Sequence, residues 1–157
     1  LSSSSSSSSS NNVFDCGNRD LQLGKRKKIA IGKSITHGFG LFALEQIEQG
    51  DTVVEYTGPL IKNDEAERRQ LRVIATGRSY FFTVAKAHKV EELLVDSYSM
   101  GNDSRFINSK RQNPNLVAAT VKVNGDFRLV LRAATKIMPG QELFFDYGTN
   151  FTLGMDQ

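Results

Sequence analysis

Apolar and polar residues alternate over short stretches along most of this chain, the period of half-buried strands. Residues 28–31, 41–44 and 52–56 read as strands, set off by Gly38, Gly40 and Gly50, which supply turns at little steric cost. Further strands are predicted at 79–84 and 93–96. The strongest local signal is a pair of apolar runs, 117–123 and 126–132, joined by Asn124-Gly125, the dipeptide favoured in type I′ hairpin turns. Pro139-Gly140 then marks a turn before a last strand at 142–145.

Helical features are confined to residues 64–75. Asp64 with Glu67 three residues later resembles a capping box in which Asp replaces Ser or Thr, and Gly77 is placed to end the helix. The middle of this segment, Ala66-Glu67-Arg68-Arg69-Gln70-Leu71-Arg72, is too polar for a core helix and is expected on the outside of a sheet. Many short strands with one peripheral helix predict a mainly β fold. The alternating strand-helix pattern of a doubly wound nucleotide fold is missing, so Gly38-Phe39-Gly40 taken alone is a tight turn and not a phosphate cradle.

Composition narrows the picture. The chain has 157 residues, of which 39% are hydrophobic, enough for one domain with a real core. Leu1, nine serines and Asn11-Asn12 cannot pack and read as a linker. Leu1 is not an initiator methionine, which suggests a piece of a longer protein. A single cysteine, Cys16, allows no internal disulfide and no complete zinc site, as expected of a reducing compartment. No apolar stretch approaches the roughly 18 residues that cross a bilayer, so a soluble protein without a membrane partner is expected.

The net charge of +3 is mildly basic, with a cluster at Lys25, Arg26, Lys27 and Lys28 and another at Arg68-Arg69. Such a run could meet phosphates, although a basic run at a domain edge is more often a solvated surface. No aromatic residues interleave it and no DNA-reading helix accompanies it.

Five ordered strings carry the functional signal: Gly38-Phe39-Gly40, Glu55-Tyr56-Thr57-Gly58, Arg105-Phe106-Ile107-Asn108, Asn113-Pro114-Asn115, and Glu142-Leu143-Phe144-Phe145-Asp146-Tyr147. In this order they resemble the SET-domain protein lysine methyltransferases. Cys16-Gly17-Asn18, Leu21 to Gly24, Asp64 to Arg69 and Val123 to Arg128 add a similarity to the Enhancer-of-zeste class of Polycomb histone methyltransferases. The resemblance implies short β-sheets, a peripheral helix and a C-terminal pseudoknot. It divides the chain into the linker (1–12), a remnant of a cysteine-rich region (13–28), the SET domain (29–149) and a short tail (150–157).

The implied activity is methyl transfer from S-adenosylmethionine to a lysine of the histone H3 tail, in the nucleus and with Polycomb-type partner subunits. Nucleosomal DNA would then be the phosphate partner open to Lys25, Arg26, Lys27 and Lys28. A free lysine has a pKa of about 10.4, so presenting its neutral amine at pH 7 costs roughly 4 to 5 kcal/mol. An apolar channel and a nearby sulfonium both lower that pKa. By resemblance Tyr147 and Tyr56 are the catalytic phenols, and Phe145 and Tyr80 border the lysine channel. Phe145 stands where the family carries Phe or Tyr, and Phe goes with di- or trimethylation. Gly38, Phe39, Ser79, Tyr80, Asn108 and Ser109 are implied in cofactor binding, without a metal. Asp96 and Arg105 are expected to be structural.

Two departures stand out. The family reads R-F-x-N-H-S, whereas Ser109 follows Asn108 here and the run to Asn113-Pro114-Asn115 is one residue longer. His37 and His88 lie elsewhere and do not replace the missing histidine. The flanking cysteine clusters that complete the substrate channel in the family have no counterpart, which leaves a second reading open, a degenerate SET domain that binds a peptide or partner without turnover.

Overall fold

The computed structural model describes residues 21, 23–76, 80–85 and 93–147. The predicted linker 1–12, the predicted tail 150–157, Cys16, Gly77, Ser79 and His88 lie outside the described residues. Among the described residues no helix is long and apolar enough to cross a membrane.

Three small sheets build the domain. Strands β1 (Ile29–Lys33) and β2 (Phe39–Ala43) form an antiparallel pair. The main sheet runs β3-β9-β8-β10-β7, with β3 (Thr52–Tyr56), β7 (Asn108–Ser109), β8 (Leu116–Val123), β9 (Asp126–Ala133) and β10 (Phe144–Phe145). The third sheet runs β4-β6-β5, with β4 (Leu60–Lys62), β5 (Phe81–Ala85) and β6 (Leu93–Asp96). Thr120 on β8 donates to the Val84 carbonyl on β5 and so joins the two larger sheets.

The predicted hairpin is the centre of the main sheet. Asn124 and Gly125 take φ of 53° and 94°, the left-handed pair that a type I′ turn requires, and β8 and β9 stay in register from Leu116↔Ala133 to Val123↔Asp126. On the core side of this sheet Leu41, Ile47, Val53, Leu131, Ile137 and Leu143 are fully buried or nearly so. Each such side chain contributes about 1.5 to 3 kcal/mol by leaving water. Ile47 and Ile137 also exchange backbone hydrogen bonds of 2.9 Å in each direction, pinning the connections that follow β2 and β9.

The helix, α1 (Asn63–Thr76), starts one residue earlier and ends one residue later than predicted. Asp64 pairs with Arg68 at 3.1 Å and Glu65 with Arg69 at 2.7 Å, four residues apart on one face, and both acids favour the positive end of the helix dipole. Ala66 packs on Ile61, Phe81 and Leu94, while Leu71 and Ile74 are exposed, so α1 covers the small sheet from outside as its polarity suggested.

Several local expectations require correction. Gly40 is not a turn residue; it lies inside β2, where its lack of a side chain makes room for Glu142 and Asn108. The second strand therefore covers 39–43 instead of 41–44. The last strand is shorter than predicted, because Glu142 makes only an isolated bridge to Phe42 before β10 begins at Phe144. Strand β4, a one-turn 3-10 helix at Asp103–Phe106 and β7 are all additions. Each is too short to set up a period, and Pro59 beside β4 argues against a strand on sequence grounds.

Strand β10 inserts between β7 and β8 and runs parallel to both. Because β7 and β8 are joined by residues 110–115, the C-terminal segment is held inside that connection, the knot-like threading that the resemblance implied. Lys110 N–H donates to Phe145 O at 3.0 Å, and Asn115 clamps the other side through Nδ2 to Glu142 O at 2.8 Å and from Phe144 N–H to its Oδ1 at 2.7 Å. Threading of this kind is rare, and here polar bonds fix it on both flanks.

Candidate active site

The knot delivers two of the predicted side chains. Phe145 on β10 is buried, and two residues later the Tyr147 ring meets it edge-on with centroids 5.1 Å apart. The Tyr147 hydroxyl donates to the Ile107 carbonyl at 2.9 Å. Alternation along β10 thus turns Phe145 to the core, while Phe144 is half-buried beneath the Lys110 ammonium, 5.2 Å from its ring centre.

Tyr56 arrives from the end of β3. Its hydroxyl donates to the Tyr80 carbonyl at 3.1 Å, and the same carbonyl accepts the Ser97 N–H at 3.1 Å. The ring is 5.6 Å from Phe82, and Phe82 is 5.2 Å from Phe145. An unbroken line of rings, Tyr56, Phe82, Phe145 and Tyr147, therefore connects three chain segments. Tyr80 adds its own ring against Tyr98, at 5.9 Å. All four tyrosines of the chain thus lie in or beside this line, Tyr98 at its exposed margin.

Both central phenols are neutral at physiological pH. Burial, with a smaller contribution from Tyr80, pushes Tyr147 up to about 12. Tyr56 is raised as well, by burial first and then by the neighbouring Tyr147. Neither serves as a ready base. With each O–H committed to a carbonyl, what they present is oxygen lone pairs with a fixed direction.

A polar edge adjoins this apolar site. Asn108 Nδ2 donates to Glu142 Oε1 at 2.8 Å, to Phe39 O at 3.1 Å and to His37 O at 3.4 Å. Glu142 Oε2 accepts from the Ser34 hydroxyl at 3.1 Å, and Ser34 Oγ accepts the N–H of Thr36 and of His37. One carboxylate and one amide thus tie the loop 34–38, the start of β7 and the approach to β10. Gly38 has φ of 50°, with open space where a side chain would stand, and the Phe39 ring is 64% exposed. Ser109 is exposed and aligned with Phe145 across the knot. Residues 111–113, within the run to Asn113-Pro114-Asn115, form exposed bends, and Asn113 takes φ of 52°.

Asp96 and Arg105 have structural settings. Asp96 is buried, bonded by Arg69 and by the Tyr98 N–H. Arg105 lies over the Phe106 ring and reaches Tyr98 O. Asn102, which was not foreseen, caps the 3-10 helix and bonds Glu55 O at 2.8 Å, fixing this segment to β3. In the basic run, Lys27 pairs with Asp51 at 2.6 Å and Arg26 with Asp103 at 3.6 Å.

Sequence reasoning missed Phe82, Glu142, Ile107 and Ser97. Glu142 opens the last motif and had a visible signal. Phe82 sits in an apolar strand run, where it reads as core, and Ile107 acts only through its backbone. No group of His, Cys, Asp or Glu suited to a metal occurs among the described residues.

Parallel strands knotted around the C-terminal segment carry a phenol beside an open glycine turn held by an asparagine, in a small β-domain. Residues 38–148 match the model of the SET domain, and the chain belongs to that family. It is 41% identical over 143 residues to the histone-lysine N-methyltransferase EZH2 of Chaetomium thermophilum, which covers 87% of this chain and 9% of that protein. It is 39% identical to the histone-lysine N-methyltransferase MEDEA of Arabidopsis thaliana over 85% of this chain and 19% of that protein. Among solved structures, the complex described as ctPRC2 in an autoinhibited conformation bound to S-adenosylmethionine matches with a TM-score of 0.74 and 41% identity, over 84% of this chain and 16% of that one. The chain thus spans under a fifth of the length of these relatives, and the similarity supports the Enhancer-of-zeste class within the family.

Proposed function

We propose that this chain is the catalytic module of a histone-lysine N-methyltransferase of Polycomb type, moving a methyl group from S-adenosylmethionine to a lysine of the histone H3 tail. The observation that carries the reading is the meeting of Tyr147 and Tyr56, neutral and oriented, at the two ends of the Phe145–Phe82 aromatic line.

The residues at the polar edge fit the cofactor. The open turn at Gly38 allows close backbone approach, Phe39 offers an exposed ring face, and Asn108 holds the turn in place. When bound, S-adenosylmethionine supplies an electrophilic methyl on sulfur. With it in place, the lysine nitrogen would take that methyl as the carbon–sulfur bond breaks, the sulfur keeping the bonding pair and the methylated ammonium passing a proton to water.

The protein's part is alignment and desolvation. The aromatic rings strip water from the amine and disfavour its ammonium form. The Tyr147 and Tyr56 oxygens attract the partly positive methyl and hold the nitrogen in line. Phe145 brings no hydroxyl to this line, which leaves room for a methylated amine and favours di- and trimethyl products. Tyr80 fixes Tyr56 through its carbonyl, and Ser79 and Ser109 are carried as cofactor contacts on the family pattern alone.

Polycomb-type partner subunits and a nuclear, chromatin-bound location follow from the same reading. A nucleosomal DNA contact through Lys25, Arg26, Lys27 and Lys28 rests on charge alone. With Lys27 and Arg26 already paired to acids of the domain, the run adds no phosphate site to this proposal.

The test is calorimetric binding of S-adenosylmethionine, followed by mass spectrometry of H3 tail peptides incubated with the chain and with Polycomb-type partner subunits. Methylated peptide is expected. Cofactor or peptide binding without any methyl transfer in the assembled complex would instead establish the degenerate binding module.

A further inference from the structure

The hydroxyl of Tyr56 is aimed by a carbonyl, and that carbonyl belongs to a segment whose own anchor lies outside the aromatic line. Tyr80 O accepts both the Tyr56 O–H and the Ser97 N–H, each at 3.1 Å. Ser97 is fully buried and its hydroxyl donates to Thr57 O at 2.5 Å, so it holds the residue after Tyr56 as well. Directly before Ser97 stands Asp96, whose side chain is 2% exposed. Its Oδ1 accepts the Tyr98 N–H at 3.0 Å, and its N–H donates to Pro59 O at 3.0 Å. The cation facing this buried carboxylate is Arg69 of α1, with Nη1 2.8 Å from Asp96 Oδ2, while Nε of the same guanidinium reaches Glu65 at 2.7 Å. A buried carboxylate deprived of its cation does not stay where it is; it moves toward water or takes up a proton.

We propose that Arg69 is a positioning residue for the aromatic site: by clamping Asp96 it fixes the Ser97–Tyr80 bond that aims the Tyr56 hydroxyl, and so couples the outer helix to the chemistry. Tyr147 has a separate anchor, since its hydroxyl donates to Ile107 O from the knot. The methyl-transfer consequence rests on the function proposed above, whereas the geometric claim does not.

The four tyrosines, Tyr56, Tyr80, Tyr98 and Tyr147, allow a direct test in the full chain. Labelling tyrosine at Cζ with carbon-13 gives four resonances, assigned by single Tyr→Phe variants. In Arg69→Met the Tyr56, Tyr80 and Tyr98 lines should move, and each further than the Tyr147 line. Arg69→Lys, which keeps a cation but loses the planar fork that joins Asp96 to Glu65, should shift the same three lines less. Should Arg69→Met fail to unfold cooperatively, Arg69→Lys carries the comparison. Ile61→Val, which loosens the same helix–sheet contact without touching the ion pair, should leave all four lines unmoved. Unmoved lines in a folded Arg69 variant, or a displacement of Tyr147 equal to that of Tyr56, would overturn the proposal.

A kinetic arm reads the consequence. Arg69→Met should lower kcat roughly tenfold at an unchanged KM for S-adenosylmethionine, the signature of a lost transition-state interaction. An unchanged kcat would overturn the coupling. A wild-type chain with no transfer in the assembled complex would defeat the proposed function, and the resonance pattern would still decide the clamp.

Discussion

The aromatic site has two walls, and they are held in different ways. On one side Phe145 and Tyr147 come through the knot, backed by Leu143, Leu116 and Ile107 in the main core and locked by Asn115, Asn108 and Glu142. On the other side Phe82 sits on β5 of the small sheet, with Tyr80 directly before that strand; the sheet gives Val84 and Val95 to the main core and carries a separate buried cluster, Ile61, Ala66, Phe81 and Leu94, under a polar helix. The first wall is held by core packing and a polar lock, the second by the inner face of its sheet on that same core, a smaller outer cluster and one buried ion pair. On the function proposed above, the lysine channel would run between the two walls, with Phe145 on the first and Tyr80 on the second.

That contrast breaks most readily by substitution within each wall. Leu143→Ala removes a fully buried side chain from the knot segment and should destabilise the domain by about 3 kcal/mol, measured by urea unfolding. Glu142→Gln weakens the bonds to Asn108 and Ser34 and should cost about 2 kcal/mol, with loosened cofactor binding as a second readout. On the small sheet, Ile61→Ala, which removes the same number of carbons, should cost only about 2 kcal/mol. Equal losses from Leu143→Ala and Ile61→Ala would show that the walls are alike after all.

A smaller effect, a loss of stability seen only at alkaline pH, comes from Tyr147. Its folded value of about 12 lies above the ordinary 10.0 of an exposed phenol, so the fold holds a proton that the unfolded chain releases first. The resulting stability is whole below pH 10.0 and is lost as the pH rises toward about 12. Urea unfolding across that range should show the decline, and Tyr147→Phe should flatten part of it.

How much of this was legible beforehand follows from how each feature is encoded. The hairpin at Asn124-Gly125 was visible because a dipeptide with two left-handed residues has few other uses. Tyr147, Tyr56, Phe145 and Asn108 were singled out through resemblance, because the family's short strings contain them. The knot was expected only through resemblance, since nothing local encodes a strand of two residues threaded through a loop. Gly40 was misread as a turn because the reason for a glycine there lies in Glu142, about a hundred residues away. Phe82 was missed because a phenylalanine in an apolar strand has the same pattern whether it lines a channel or fills a core. The Arg69–Asp96 pair joins a helix to a strand end, a contact that no one-dimensional period records.

The central claim is that a neutral phenol delivered through the knot assists methyl transfer. Its most direct test is transfer of radiolabelled methyl from S-adenosylmethionine to histone H3, comparing wild type with Tyr147→Phe in the presence of the partner subunits. The account predicts a loss of about 100-fold in kcat, with S-adenosylmethionine affinity changed only a few-fold. Transfer that proceeds undiminished in Tyr147→Phe would contradict it.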